Sequence, residues 1–354
     1  MNISEPGNSI NAQPERNQKK CRIVVDAMGG DFAPQNAVLG AVQAYNENGK
    51  FELYLVGKSS EIKNVISSSN LSFNESHIIH ADEVIEMSDS PTVSLKTKRN
   101  SSIVVGANLV KEKKADAFVS AGNTGAMMAA STLIIGRIPG VGRPTIGAVM
   151  PNESGVCILF DVGASVDSKP KHLLEYAVIG SIYAQEIYGI NNPKIGLLSV
   201  GEEESKGNEV SLAAFELLKK TNLNFIGNVE GRDILKGTAN VVVCDGFIGN
   251  ILIKFGEGVL SLLKYKFKDY ASRGFFNKLK IGLLKGALKD MLKDFDYQEH
   301  GGVPLLGVNG ISIIGHGSST PKAIKNMVLR AYEMYEKNLI TKIENSIKNY
   351  SSLT

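Results

Sequence analysis

Short apolar runs alternate with longer amphipathic stretches along most of the chain. The runs are Ile23-Val24-Val25, Phe51 to Val56, Ala117-Phe118-Val119, Thr145 to Met150, Val156 to Phe160, Ile195 to Val200, Val241-Val242-Val243 and Ile311 to Ile314. Several are nearly continuous in Val, Ile and Leu, as strands covered on both faces tend to be. Between them, Pro34 to Asn46, Lys171 to Tyr188 and Glu209 to Lys220 carry apolar residues at helical spacing. The pattern predicts an α/β protein with a mostly parallel sheet between helical layers. No repeat period and no Pro- or Ser-rich linker interrupts it, so residues 21–340 read as a single α/β domain. Residues 1–20 read as a loose polar tail and 341–354 as a C-terminal tail.

The segment 256–296 breaks the alternation. Val259, Leu260, Leu262 and Leu263, then Phe275, Phe276, Leu279, Leu283, Leu284, Met291 and Leu292, recur at helical spacing on either side of Ser272-Arg273-Gly274. A helical hairpin is expected. From Lys264 to Lys289 it carries eight cations, Lys278, Lys280, Lys285 and Lys289 among them, against the single acid Asp269. Such an element meets anionic lipid or an acidic partner; equally, it can be a solvated helix pair packed on its own domain or a twin subunit.

Composition narrows the class. With 354 residues, 43% hydrophobic and 21% charged, the chain is ordinary globular material. Its net charge of +3 is too mild to imply nucleic acid. Cys21, Cys157 and Cys244 are far apart, so neither a disulfide framework nor a metal site is suggested, and a reducing compartment fits. Residues 1–20 lack the apolar core of a signal peptide, and no uninterrupted apolar run reaches the ~18 residues of a membrane span. The expected location is the cytoplasm.

Candidate chemistry gathers where strands end. "SAGNTGA" (120–126) runs from a strand into a helix, so its backbone N–H groups and the helix dipole make an anion site, with Asn123, Thr124 and Gly125 as phosphate ligands. The same residues would also serve as a plain helix cap. "SVGEEESKGNE" (199–209) presents Lys206 and Asn208 before another helix, or is simply an acidic exposed turn. "VVVCDGFIGN" (241–250) ends in Asp245 and Asn250, and "GVNGISIIGHGSS" (307–319) in His316 and Ser318, read as phosphate ligands, with His316 alternatively a general base or a structural histidine. Asp161 and Asp245, each at a strand end, can orient a site or cap a turn. "GKSS" at 57–60 has Glu52 where a Walker loop needs glycine, and "GVGRPTIG" from Gly140 lacks the third glycine of a dinucleotide fingerprint. In a parallel sheet, strand C-termini share an edge, so the expectation is one multi-loop oxyanion site.

The chain also resembles a known family. "VDAMGGDFAP" (25–34), "SAGNTGA" (120–126), "GRPTIG" (142–147), "DVGASVDSKP" (161–170), "GEEESKGNE" (201–209), "GNVEGRD" (227–233), "CDGFIGNILIK" (244–254) and "GGVPLLGVNGISIIGHGSS" (301–319) are similar, in order, to motifs of the acyl-[acyl-carrier-protein]:phosphate acyltransferases. The resemblance implies transfer of a fatty acyl group from carrier-protein thioester to inorganic phosphate, without cofactor or metal. It implies a fold like phosphotransacetylases and the isopropylmalate dehydrogenase group. It also implies a homodimer, held peripherally at the membrane where a glycerol-3-phosphate acyltransferase consumes the product. The basic hairpin then meets the bilayer, the acyl chain or the carrier protein. Ser165 stands where the family usually has Asn, and Ile248 where it has Thr. Lys206 and Asn208 are expected to neutralise phosphate, with Asn250 or Lys169 supporting the oxyanion. The rival readings are a coenzyme A-dependent phosphotransacetylase and a non-catalytic membrane-surface scaffold.

Overall fold

The structure, a computed structural model, describes residues 20–295 and 301–350, without the side chains of Lys289 and Asp294. The tail expected over 1–20 lies outside the described residues except for Lys20. Among the described residues, eleven strands form one sheet: β1 (Cys21–Asp26), β2 (Phe51–Gly57), β3 (Ile78–His80), β4 (Ala117–Ser120), β5 (Thr145–Asn152), β6 (Gly155–Phe160), β7 (Ile195–Leu198), β8 (Phe225–Val229), β9 (Val241–Val243), β10 (Val303–Leu306) and β11 (Ile311–Ile314). Their order is β3-β2-β1-β4-β11-β10-β5-β6-β9-β7-β8. All eight predicted apolar runs are strands. The pattern alone misses β3, β8 and β10: β3 is a three-residue edge strand, Gly227 interrupts β8, and Pro304 interrupts β10.

The sheet is mostly parallel, but three successive antiparallel pairings cross its middle. β10 pairs antiparallel with β11 and with β5, and β5 pairs antiparallel with β6. Strands β1 to β4 and β11 therefore run one way, while β6, β7, β8 and β9 run the other. Both directions share one core. A single buried cluster contains Ile23 and Leu53 of the first group and Ile158 and Leu197 of the second.

Among the described residues, twelve helices accompany the sheet: α1 (Gln35–Asn48), α2 (Ser59–Ser68), α3 (Pro91–Thr97), α4 (Ser102–Lys111), α5 (Thr124–Ala130), α6 (Pro170–Tyr188), α7 (Glu209–Lys219), α8 (Gly231–Lys236), α9 (Gly246–Ser272), α10 (Phe275–Met291), α11 (Pro321–Glu336) and α12 (Leu339–Tyr350). The last of these replaces most of the expected C-terminal tail. Leu339, Ile343 and Ile347 recur at helical spacing and are buried in the main core, which holds residues 341–350 in place. Residues 351–354 lie outside the described residues.

The helical hairpin is α9 and α10, turning at Arg273 and Gly274. α9 starts ten residues earlier than the apolar pattern predicts, because four glycines, Gly246, Gly249, Gly256 and Gly258, dilute the pattern. Two of them are required by contact. A Cβ on Gly246 would collide with the Ser165 carbonyl oxygen, and one on Gly249 with that of Asp161. α9 is also long and apolar enough to cross a membrane by length and composition, with 11% of its most apolar stretch buried. No single uninterrupted run shows this, since Lys254 and Glu257 interrupt it.

Candidate active site

The reversal at β10 and β5 divides the expected site residues into two sets. The loops after β1, β4 and β11 lie at one end of the sheet, and those after β6, β7 and β9 at the other.

The first set is built on Asp26. Its carboxylate is buried, accepts from Ser120 Oγ at 2.7 Å and from Met28 N at 3.0 Å, and so ties the end of β1 to the end of β4. Burial raises the Asp26 carboxyl above the ordinary carboxylate value, while hydrogen bonds from Ser102, Ser120, Met28 and Gly29 pull it back. Gly317 O accepts from Asp31 N at 2.7 Å, which brings the 315–319 turn against the "MGGDF" loop. Asn123 caps α5: Oδ1 accepts from Ala126 N at 2.9 Å, and Nδ2 donates to the carbonyls of Glu86, Met87 and Asp89. Its amide is thus occupied in fastening the 86–89 loop to the helix entry. Thr124 is exposed at that entry, beside Gly125. His316, also exposed, pairs its Nδ1 with Ser318 Oγ at 2.8 Å.

The second set is built on Asp161, which is fully buried at the end of β6. Its Oδ1 accepts from Ile146 N at 2.9 Å, Ala164 N at 3.2 Å and Thr145 Oγ1 at 3.2 Å, and its Oδ2 from Ser165 N at 2.7 Å. Burial raises this carboxyl too, against the pull of those donors. Asp161 therefore shapes the 163–165 loop from beneath. Asp245 caps α9 through Phe247 N at 2.8 Å and also accepts from Ser168 N at 2.8 Å, linking the same loop to the helix. Asn250, exposed one turn on, lies beside Gly163. Lys169 caps α6, its side chain exposed. The Lys206 and Asn208 loop follows β7. Asn228 Nδ2 braces it by donating to Glu203 O at 2.8 Å, and Asn208 caps α7 through Ser211 N. The three cysteines are buried, and burial raises each thiol, Cys157 to about 12, which keeps them protonated and inert.

Sequence reasoning did not single out Arg137 and Arg143, which line an open pocket of about 460 Å³ together with Met128, Thr132, Leu133 and Leu305. Arg143 Nη1 donates to Ser165 Oγ at 2.9 Å and to Asp167 Oδ1 at 2.7 Å. Glu175 Oε2 accepts from Gly142 N at 2.8 Å, and Arg137 Nη1 donates to Gly142 O, so the 140–144 loop is clamped from two sides. Burial raises the Glu175 carboxyl. The signal that could have found this pocket is the arginine of "GRPTIG", a planar cation ahead of a strand rather than behind one.

Comparison with known proteins places the chain. Residues 21–342 match the family model described as fatty acid synthesis protein. The phosphate acyltransferase of Pelotomaculum thermopropionicum is 48% identical over 93% of this chain and 95% of its own length. That of Desulfitobacterium hafniense is 49% identical over 94% and 99%. A phosphotransacetylase from Streptococcus pyogenes shares the fold, with a TM-score of 0.61 at 22% identity, covering 90% of this chain and 95% of that one. The motif resemblance and these matches agree: the chain belongs to the fatty acid synthesis protein family, among the phosphate acyltransferases.

Proposed function

We propose that this protein transfers a fatty acyl group from the thioester of acyl carrier protein to inorganic phosphate, giving acyl phosphate and free carrier thiol. The observation that carries the reading is near-full-length identity of 48–49% to phosphate acyltransferases. A phosphate oxygen attacks the thioester carbonyl carbon, the tetrahedral oxyanion collapses, the C–S bond breaks and the thiolate leaves on the carrier. Neither a nucleophilic side chain nor a cofactor or metal enters that balance. The thiolate is a good leaving group, so positioning and charge stabilisation carry the catalysis.

We place this chemistry at the Asp161 end. Lys206 and Asn208 stand there to neutralise phosphate, and Lys169 and Asn250 to support the oxyanion, on loops shaped by Asp161 and Asp245. Thr124, Gly125, His316 and Ser318 form an anion-receiving edge at the other end, which suits the phosphodiester of the carrier's pantetheine arm. Asn123 serves that edge as its brace. Working as a cytoplasmic homodimer, the protein would meet the membrane through the α9–α10 hairpin. There its product passes to a glycerol-3-phosphate acyltransferase. What supports this is the hairpin surface: Phe275, Phe276, Leu279, Leu283 and Leu284 are exposed beside Lys278, Lys280 and Lys285. The Lys289 side chain, expected on the same surface, lies outside the described residues. The first turns of α9 are seated under Asp161, which favours an in-plane contact over a span.

The deciding assay incubates palmitoyl-carrier protein with phosphate and traps acyl phosphate with hydroxylamine, beside palmitoyl-coenzyme A. Phosphate-dependent hydroxamate from the carrier substrate is expected, falling about 100-fold or more in Lys206→Ala. Product from the coenzyme A substrate alone would make this a phosphotransacetylase. Turnover from neither substrate, with vesicle binding retained, would leave the scaffold reading.

A further inference from the structure

The pocket beside the 140–144 loop has a composition that the reaction above does not yet use. Among the described residues, its wall holds two guanidiniums, Arg137 and Arg143, and no carboxylate, while Met128, Leu133 and Leu305 give it an apolar side. A recess of this kind attracts anions and also shelters hydrocarbon. Free phosphate uses only the first property. A molecule with an anionic head and an apolar body uses both.

Arg143 is preset for a second partner. Of its five N–H groups, Nη1 spends two on Ser165 and Asp167, and Nη2 spends one on Asp167 Oδ2 at 3.3 Å. Among the described residues, the Nε–H and the remaining Nη2–H take no partner. These two lie in the guanidinium plane, point the same way and form its side-on fork, the geometry that phosphoryl oxygens accept bidentately. The clamp on Gly142 by Glu175 and Arg137 holds the loop that carries this fork. The pocket also lies beside the 163–165 loop at the Asp161 end, since Ala164 is part of its wall.

We propose that Arg143, with Arg137 beside it, binds the phosphoryl group of the acyl phosphate, that the apolar wall takes the first part of the acyl chain, and that Ser165 is a positioning residue for Arg143. The proposal rests on the phosphate acyl transfer reading and names where its product sits. Asp167 occupies the Nη1/Nη2 edge of the guanidinium and leaves the side-on fork to the ligand.

The test measures binding of hexadecylphosphonate, a non-reactive mimic of the product, by calorimetry, alongside steady-state kinetics. Arg143→Ala should weaken hexadecylphosphonate binding by roughly 10- to 100-fold. It should raise KM for inorganic phosphate by a similar factor and leave KM for the carrier-protein substrate unchanged. A rise in the carrier KM alone would assign the pocket to the pantetheine phosphodiester and overturn the proposal. Arg143→Lys keeps the charge without the fork and should recover only part of the affinity, which also serves should the alanine variant fail to fold. Ser165→Ala should raise KM for phosphate several-fold at constant kcat, and Ser165→Asn, which restores an oxygen acceptor, should reverse it. Undiminished phosphonate binding in folded Arg143→Ala or Arg143→Lys overturns the proposal. Because binding is read without turnover, failure of the acyl transfer assay with loss of binding in Arg143→Ala would count against the reaction and not against the site.

Discussion

Buried carboxylates at strand ends organise both candidate sets. Asp26 fastens β1 to β4, and Asp161 fastens the end of β6 to the loop around Ser165 and to the start of β5 at Ile146. Neither needs to touch a substrate to matter, because each holds the backbone whose side chains do. The same burial has a pH consequence at Asp26. Its carboxyl is raised in the folded state, so it binds a proton more tightly there than in the unfolded chain. That contribution to stability is complete below the unfolded value of about 3.9 and is lost as pH rises through the folded value. Wild type should therefore lose stability relative to Asp26→Asn as pH is raised from about 4. Denaturant titrations at a series of pH values read this directly, and a constant gap between the two proteins would refute it. Asn123 differs from the other residues expected to bind phosphate. Asn123 spends its amide on three backbone carbonyls and on the helix cap, an allocation that no reading of "SAGNTGA" reveals, since the 86–89 loop lies more than thirty residues away in sequence.

Two elements carry the clearest consequences. The hairpin exposes aromatic and aliphatic residues that its own domain leaves uncovered, and it surrounds them with lysines. Each lysine near an anionic surface contributes about 1 kcal/mol. Changing Lys278, Lys280, Lys285 and Lys289 together to Glu should weaken vesicle co-sedimentation by at least about 100-fold while leaving solution turnover near wild type. Undiminished co-sedimentation would move the membrane surface elsewhere. α12 is the second case. Polar residues dominate 341–354, yet Ile343 and Ile347 fall on one helical face and enter the core beside α6. Ile343→Ala should cost about 2–5 kcal/mol of stability, measured by guanidinium chloride unfolding. A cost near zero would mean that the helix is dispensable.

At the scale of the whole molecule, one continuous sheet and one buried cluster span both strand directions. Unfolding monitored by near- and far-UV circular dichroism should therefore give coincident transitions, whereas two separated midpoints would show that the halves fold independently. Much of this architecture is legible in the chain. Apolar runs such as Val241-Val242-Val243 must be buried on both faces, and glycine, asparagine and aspartate at their ends must make turns, because these are local demands of burial and backbone conformation. The hairpin is legible for the same reason, from periodicity and charge. Direction is not legible. β10 is marked by little more than Pro304 and two leucines, yet the three antiparallel pairings through β10 and β5 turn half the sheet around and send Lys169, Lys206 and Asn250 to a different end from Thr124 and His316. Nor is the role of Arg143 legible, since its partners Ser165 and Asp167 lie more than twenty residues on. The sequence by itself determined the elements, the turns that could hold anions and the family. Tertiary structure alone decided which turns share an end and which polar groups remain open to a ligand, because strand direction and hydrogen-bond partners are settled by contacts between residues far apart in the chain.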